Sequence, residues 1–182
     1  MTSLTALADS AKQHLAALLD AIHRCVYFLE AADTGVIWPL EANHLATHKK
    51  DTALFGNLAA INERFAKLQD TLGAAMRHAM PLLGEDADTF IRVLAYYEKV
   101  GIIDSASEWQ TTRTARNLAA HAYELDYAMI ANHFNTLHSL RPYLYRAANR
   151  FQHYCKDCLE LVPSSGDFSA EFTEITESGV NP

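Results

Sequence analysis

The sequence predicts an all-α protein, an antiparallel bundle of about five helices, on three observations. Apolar residues recur at intervals of three and four, glycine and proline are sparse, and no stretch shows the Val/Ile/Thr-rich alternation of a strand. Seven Gly and five Pro in 182 residues fall mostly between the apolar-periodic stretches, which leaves room for long helices joined by short connections. At this length, with 49% hydrophobic residues, one domain can bury a substantial core.

The first helix carries Leu15, Leu18, Leu19, Ile22, Val26 and Leu29 along one face and is expected to end near Ala32, before Asp33-Thr34-Gly35. A loop from Asp33 to Lys50 follows, with Gly35, Trp38 and Pro39. The second helix is drawn by Leu54, Leu58, Ile61, Phe65, Leu68, Leu72, Met76 and Ala79, and Pro81 and Gly84 are read as its stop. Asp86 and Asp88 are capping candidates for a third helix through Phe90, Ile91, Leu94, Tyr97 and Val100, closed by Gly101. Ser105-Ala106-Ser107-Glu108 has the form of a capping box, so a fourth helix starts there and runs through Trp109, Leu118, Ala119, Ala122 and Leu125. A fifth carries Ile130, Phe134, Leu137, Leu144, Ala148 and Phe151, and Pro142 is expected to kink or restart it. Residues 1–162 form the expected bundle. Residues 163–182, with Asp167, Glu171, Glu174 and Glu177 and no Lys or Arg, are expected to be an acidic, disordered tail.

The net charge of −7 argues against nucleic-acid binding by charge alone, but four of the acids lie in that tail and the remainder is only mildly acidic. No apolar run approaches the roughly 18–20 residues of a membrane span, and the N-terminus lacks a basic region followed by an apolar one. The expectation is a soluble, cytoplasmic chain without a membrane partner. Cys25, Cys155 and Cys158 are an odd number without a secretory context, which favours reduced thiols.

The segment Arg113-Thr114-Ala115-Arg116-Asn117-Leu118-Ala119-Ala120-His121-Ala122-Tyr123 sets strong polar groups into an Ala/Leu-rich helix. On a helical wheel of about 100° per residue, Arg116 aligns with Tyr123 and Asn117 with His121, giving two adjacent polar stripes. Arginine offers a fork of donors to phosphate oxygens, and an imidazole gives or takes a proton near neutral pH. The pair suits phosphoryl transfer or cleavage of RNA, without a metal or other cofactor. On an RNA substrate, His121 would assist attack by a ribose 2′-hydroxyl on the adjacent phosphate, Arg116 would stabilise the developing charge, and Asn117 would orient the phosphate or the imidazole. Arg113, one turn earlier, is a further candidate phosphate contact.

Arg116, four residues, His121, one residue and Tyr123, with Asn117 directly after the arginine, resemble the Arg-x4-His-x-Tyr signature of HepT proteins in the HEPN superfamily. The resemblance extends to the helical organisation of about residues 5 to 158. It implies a homodimeric bundle acting as a metal-independent endoribonuclease and growth-inhibiting toxin. It further implies a partner, an MNT-type nucleotidyltransferase antitoxin that transfers AMP onto the motif tyrosine, here Tyr123. An alternative within the same resemblance is a non-catalytic, nucleotide-binding or substrate subunit of such a transferase, presenting Tyr123 for adenylylation.

Competing explanations exist for each residue. Arg116 could be a surface arginine paired with an acid such as Glu124 or Asp126, and His121 a satisfied core histidine. Tyr123 could be ordinary packing in a chain that uses tyrosine freely. His44 and His48 share one helix face, and Cys155-x-x-Cys158 follows His153, but neither completes a zinc set, and no metal site is predicted. Asp86-Ala87-Asp88 lacks the strand and Gly-Ser turn of a nucleotidyltransferase and is better explained as helix capping.

Overall fold

The computed structural model describes residues 2–122 and 126–178, with the side chains of 6–116 and 126–178. Every element among them is a helix: α1 (Thr2–Thr34), α2 (Ala42–Thr47), α3 (Thr52–Leu82), α4 (Phe90–Lys99), α5 (Ala106–Ala122), α6 (Tyr127–Leu159) and α7 (Ser169–Ser178). The five periodic stretches correspond to α1, α3, α4, α5 and α6; α2 and α7 are additional.

Local chemistry sets most of the boundaries. Asp51 caps α3 by accepting from the N–H groups of Ala53 and Leu54, both at 3.0 Å, and Asp126 caps α6 through Ala128 N at 3.0 Å. Ser105 Oγ accepts from Glu108 N at 3.0 Å, as the capping-box spacing requires. The cap of α4 is Thr89, not Asp86 or Asp88. Asp86 instead accepts from Asp88 N at 3.1 Å and pairs with Arg92, so it orders the turn before the helix.

Pro81 does not stop α3, since it lies within the last turn, and the chain leaves the helix at Gly84 (φ 77°). Glu85 N bonds Met80 O at 2.9 Å and Gly84 N bonds Pro81 O at 3.1 Å, which together satisfy the last carbonyls of the helix. Gly101 (φ 76°) closes α4 in the same way, with Ile102 N on Tyr97 O at 2.8 Å. Nor does Pro142 restart the fifth stretch: α6 is one helix of 33 residues, held across the proline by the buried side chains of Tyr143, Leu144 and Tyr145.

The contacts fix the directions. α1 and α3 are antiparallel, because His78 meets Ala11 O at one end and Asn57 meets Gly35 O at the other. α6 also runs against α1, since His23 pairs with Gln152, Glu30 with Tyr145 and Asp33 with His138. α5 lies antiparallel on α3, with Gln69 bonded to Trp109 O and Arg116 to Ala66 O. One core runs through the bundle, from Leu15, Leu19 and Leu29 through Phe65 and Leu72 to Phe134 and Phe151.

The expectation of a disordered tail from 163 onward is corrected through residue 178. The Asp20 carboxylate accepts from Ser165 N at 2.8 Å and Gly166 N at 3.1 Å, and also bonds Ser164, which pins the connection to α1. α7 then lies on α1 and α6. Phe172 is fully buried and stacks on His23 at 3.9 Å, and Thr176 bonds Asn149 at 2.7 Å. Burial of this apolar face outweighs the acidic composition that suggested disorder.

Burial holds the imidazole pKa of His23 below the usual 6.5, partly offset by the Gln152 hydrogen bond and the Asp20 charge, and burial does the same to His133. Both groups bind protons more readily in the unfolded chain. Their contribution to stability is therefore complete above about pH 6.5 and is lost as pH falls from there through the depressed folded values. The thermal midpoint is expected to decline between pH 7 and pH 5, and His133→Leu to flatten that decline. An unchanged slope in the variant would exclude His133 as a source.

Candidate functional site

α5 brings Arg113 and Arg116 to the seam with α3. The long stripe that contains Trp109 and Arg116 faces α3, because the two are seven residues apart and nearly aligned. Trp109 is buried, with its ring 3.3 Å from where a Cβ on Gly73 would stand, so the glycine lets Trp109 and Phe90 close against α3. Arg116 donates from Nη1 to Ala66 O at 3.1 Å and to Asp70 Oδ1 at 2.6 Å, and its side chain is 13% exposed. The pairing with an acid that competes with a catalytic role is thus present, with Asp70 on α3; Glu124 lies outside the described residues. Asp126 is occupied as the cap of α6.

Arg113 is exposed and lines an open cleft of about 400 Å³ with Gln69, Asp70, Gly73, Arg77, Phe90 and Trp109. Among the described residues Arg113 has no acidic partner, whereas Arg77 donates to Asp88 O at 3.4 Å and is near enough to the Asp88 carboxylate for the two charges to interact. The cleft therefore carries two guanidinium groups against one carboxylate, Asp70, whose charge is engaged by Arg116. Gln69 is 2% exposed; its Nε2 donates to Trp109 O at 3.0 Å, and its Oε1 is buried without a partner among the described residues.

Asn117 and His121 belong to α5 by backbone, but their side chains are outside the described residues, as is Tyr123 altogether. The structure thus places Arg113 and Arg116 of the predicted set at one helix seam. It adds four residues from α3 and α4 that sequence reasoning missed: Gln69, Asp70, Arg77 and Phe90. The available signal was Gln69, a polar residue on the apolar face between Phe65 and Leu72.

A second polar cluster lies between α1 and α6. Asp33 is buried and accepts from His138 Nδ1 at 2.9 Å and from Arg141, which also reaches Glu30 at 2.9 Å. Trp38 stacks on His138 at 4.2 Å and donates to Asp33 O at 3.0 Å.

The metal-like patterns stay incomplete. His44 and His48 stack at 4.2 Å, with His48 Nδ1 on His44 O. Burial pushes the Cys155 thiol pKa up to about 12, which disfavours the thiolate a metal needs, and Cys158 is exposed. Among the described residues no group of three or more His, Cys, Asp or Glu is placed to hold a metal ion, and no helix is long and apolar enough to cross a membrane. In comparison with known proteins, no family model, curated protein or solved structure matches the chain.

Proposed function

We propose that the chain is a HepT-like toxin, a metal-independent endoribonuclease whose catalytic residues are Arg116 and His121. The observation that carries this reading is the Arg116-Asn117-x3-His121-x-Tyr123 pattern at the end of a polar helix in an all-α bundle. The cationic seam supports it: Arg77, Arg113 and Arg116 gather where α5 meets α3, in a chain whose overall charge is negative.

His121 takes the proton of a ribose 2′-hydroxyl as that oxygen attacks the adjacent phosphorus. The bond to the 5′-oxygen of the next nucleotide breaks, leaving a 2′,3′-cyclic phosphate and a 5′-hydroxyl that receives a proton. Arg116 offsets the charge on the phosphate oxygens. Five residues along an α-helix amount to about 7.5 Å of rise and about 140° of rotation. Arg116 and His121 therefore cooperate most directly across two copies of α5, which favours a homodimer. In the cell the partner is an MNT-type nucleotidyltransferase antitoxin, which silences the toxin by adenylylating Tyr123.

The test is incubation of the purified full chain with single-stranded RNA in EDTA. Cleavage with cyclic-phosphate ends is expected; intact RNA in the presence of folded protein rejects the ribonuclease reading. One observation favours a second reading, in which the chain is a non-catalytic substrate subunit: Arg116 is already committed to Asp70 and Ala66. AMP transferred to Tyr123 by a partner enzyme, from a chain that cuts no RNA, would establish that alternative.

A further inference from the structure

The cleft between α3, α5 and the start of α4 has two features that together define a ligand class. Arg77 and Arg113, on α3 and α5, present guanidinium groups to the same open space. Exposed guanidinium groups outside any salt bridge suit a phosphate, which accepts two parallel hydrogen bonds from each fork. Beside them the half-buried ring of Phe90 lies 6.3 Å from the Trp109 ring, forming an apolar aromatic wall.

We propose that this cleft binds a nucleotide unit, with Arg77 and Arg113 holding its phosphate and the half-buried Phe90 ring, backed by Trp109, taking its base. The volume of about 400 Å³ suits one nucleotide and not a folded nucleic acid. As a subsite of an RNA substrate, the cleft rests on the ribonuclease reading, and it then holds the base and phosphate next to the one being cut. As a binding cleft it is tested without cleavage.

The experiment is titration calorimetry on the full-length His121→Ala protein, with AMP, adenosine, inorganic phosphate and a short single-stranded oligoadenylate as probes. AMP is expected to bind, adenosine and phosphate each at least about tenfold more weakly, because each loses one half of the site. The double variant Arg77→Gln/Arg113→Gln, both positions being exposed, should retain its helical circular-dichroism signal and bind AMP at least about tenfold more weakly. Phe90→Ala should weaken AMP and leave phosphate unchanged. Oligoadenylate binding tighter than AMP assigns the cleft to RNA, and weaker binding assigns it to a free nucleotide. No AMP binding at millimolar concentration, equal affinity for phosphate and AMP, or an unaffected double variant overturns the proposal. If AMP fails to bind while the wild type cuts RNA, the cleft alone is rejected; if AMP binds and the wild type does not cut, the ribonuclease reading alone is rejected.

Discussion

Asp33→Ala is expected to destabilise the protein by about 3 kcal/mol, read as a lower urea midpoint at an unchanged slope. The Asp33 side chain is 4% exposed and meets two cationic or proton-donating partners, His138 and Arg141. Arg141 is itself only 16% exposed, and its Nε has no partner among the described residues. Removing the carboxylate leaves a desolvated guanidinium with Glu30 as its acid, at 2.9 Å. Breaking a buried pair costs about 3–5 kcal/mol, and the surviving Glu30 contact places this case at the lower end. The reverse operation sharpens the test. Asp33→Ala combined with Arg141→Leu removes the carboxylate and the guanidinium together, and should recover part of the loss because the charge left behind, Glu30, is 28% exposed and keeps its hydrogen bond from Tyr145. A cost below about 1 kcal/mol for Asp33→Ala would show that the cluster contributes no more than an exposed ion pair.

That cluster also shows where the sequence stops being legible. Asp33 and His138 are 105 residues apart and meet only because α1 and α6 run antiparallel; read alone, Asp33 looks like a helix-ending residue before Thr34-Gly35. The long helices are legible because each repeats its apolar face over many turns, as Leu54 to Ala79 do in α3. α7 repeats its face for barely three turns in an acidic context, and what orders it is Asp20 on α1, a contact no local pattern contains. Pro142 illustrates the converse. Its ring removes a hydrogen bond locally, but α6 continues because packing on both sides outweighs that local cost. The candidate site divides in the same manner. Arg113 and Arg116 stand out because they set charges beside an Ala-rich stretch, whereas Arg77 and Asp70 look like ordinary solvated residues of α3 until α5 is laid across them.

His121→Ala should produce the largest functional effect, a loss of RNA cleavage of about 10²–10⁴-fold with the helical signal preserved, because removing a general base forfeits proton transfer in the transition state. The pH profile separates this role from a merely structural one. An unperturbed imidazole titrates near about pH 6.5, so a base is active above that value and is silenced by protonation below it. The wild-type rate should therefore fall as pH drops through that region, and the residual rate of His121→Ala should lack that arm. Stability must be measured alongside, because His23 and His133 also favour the folded state less at acid pH. His133→Leu supplies the control: it should flatten the stability profile while leaving the acidic arm of the rate profile in place. If His121→Ala cuts RNA as fast as the wild type, or keeps the same acidic arm, the proton is taken by another group and the assignment of the base to α5 is rejected.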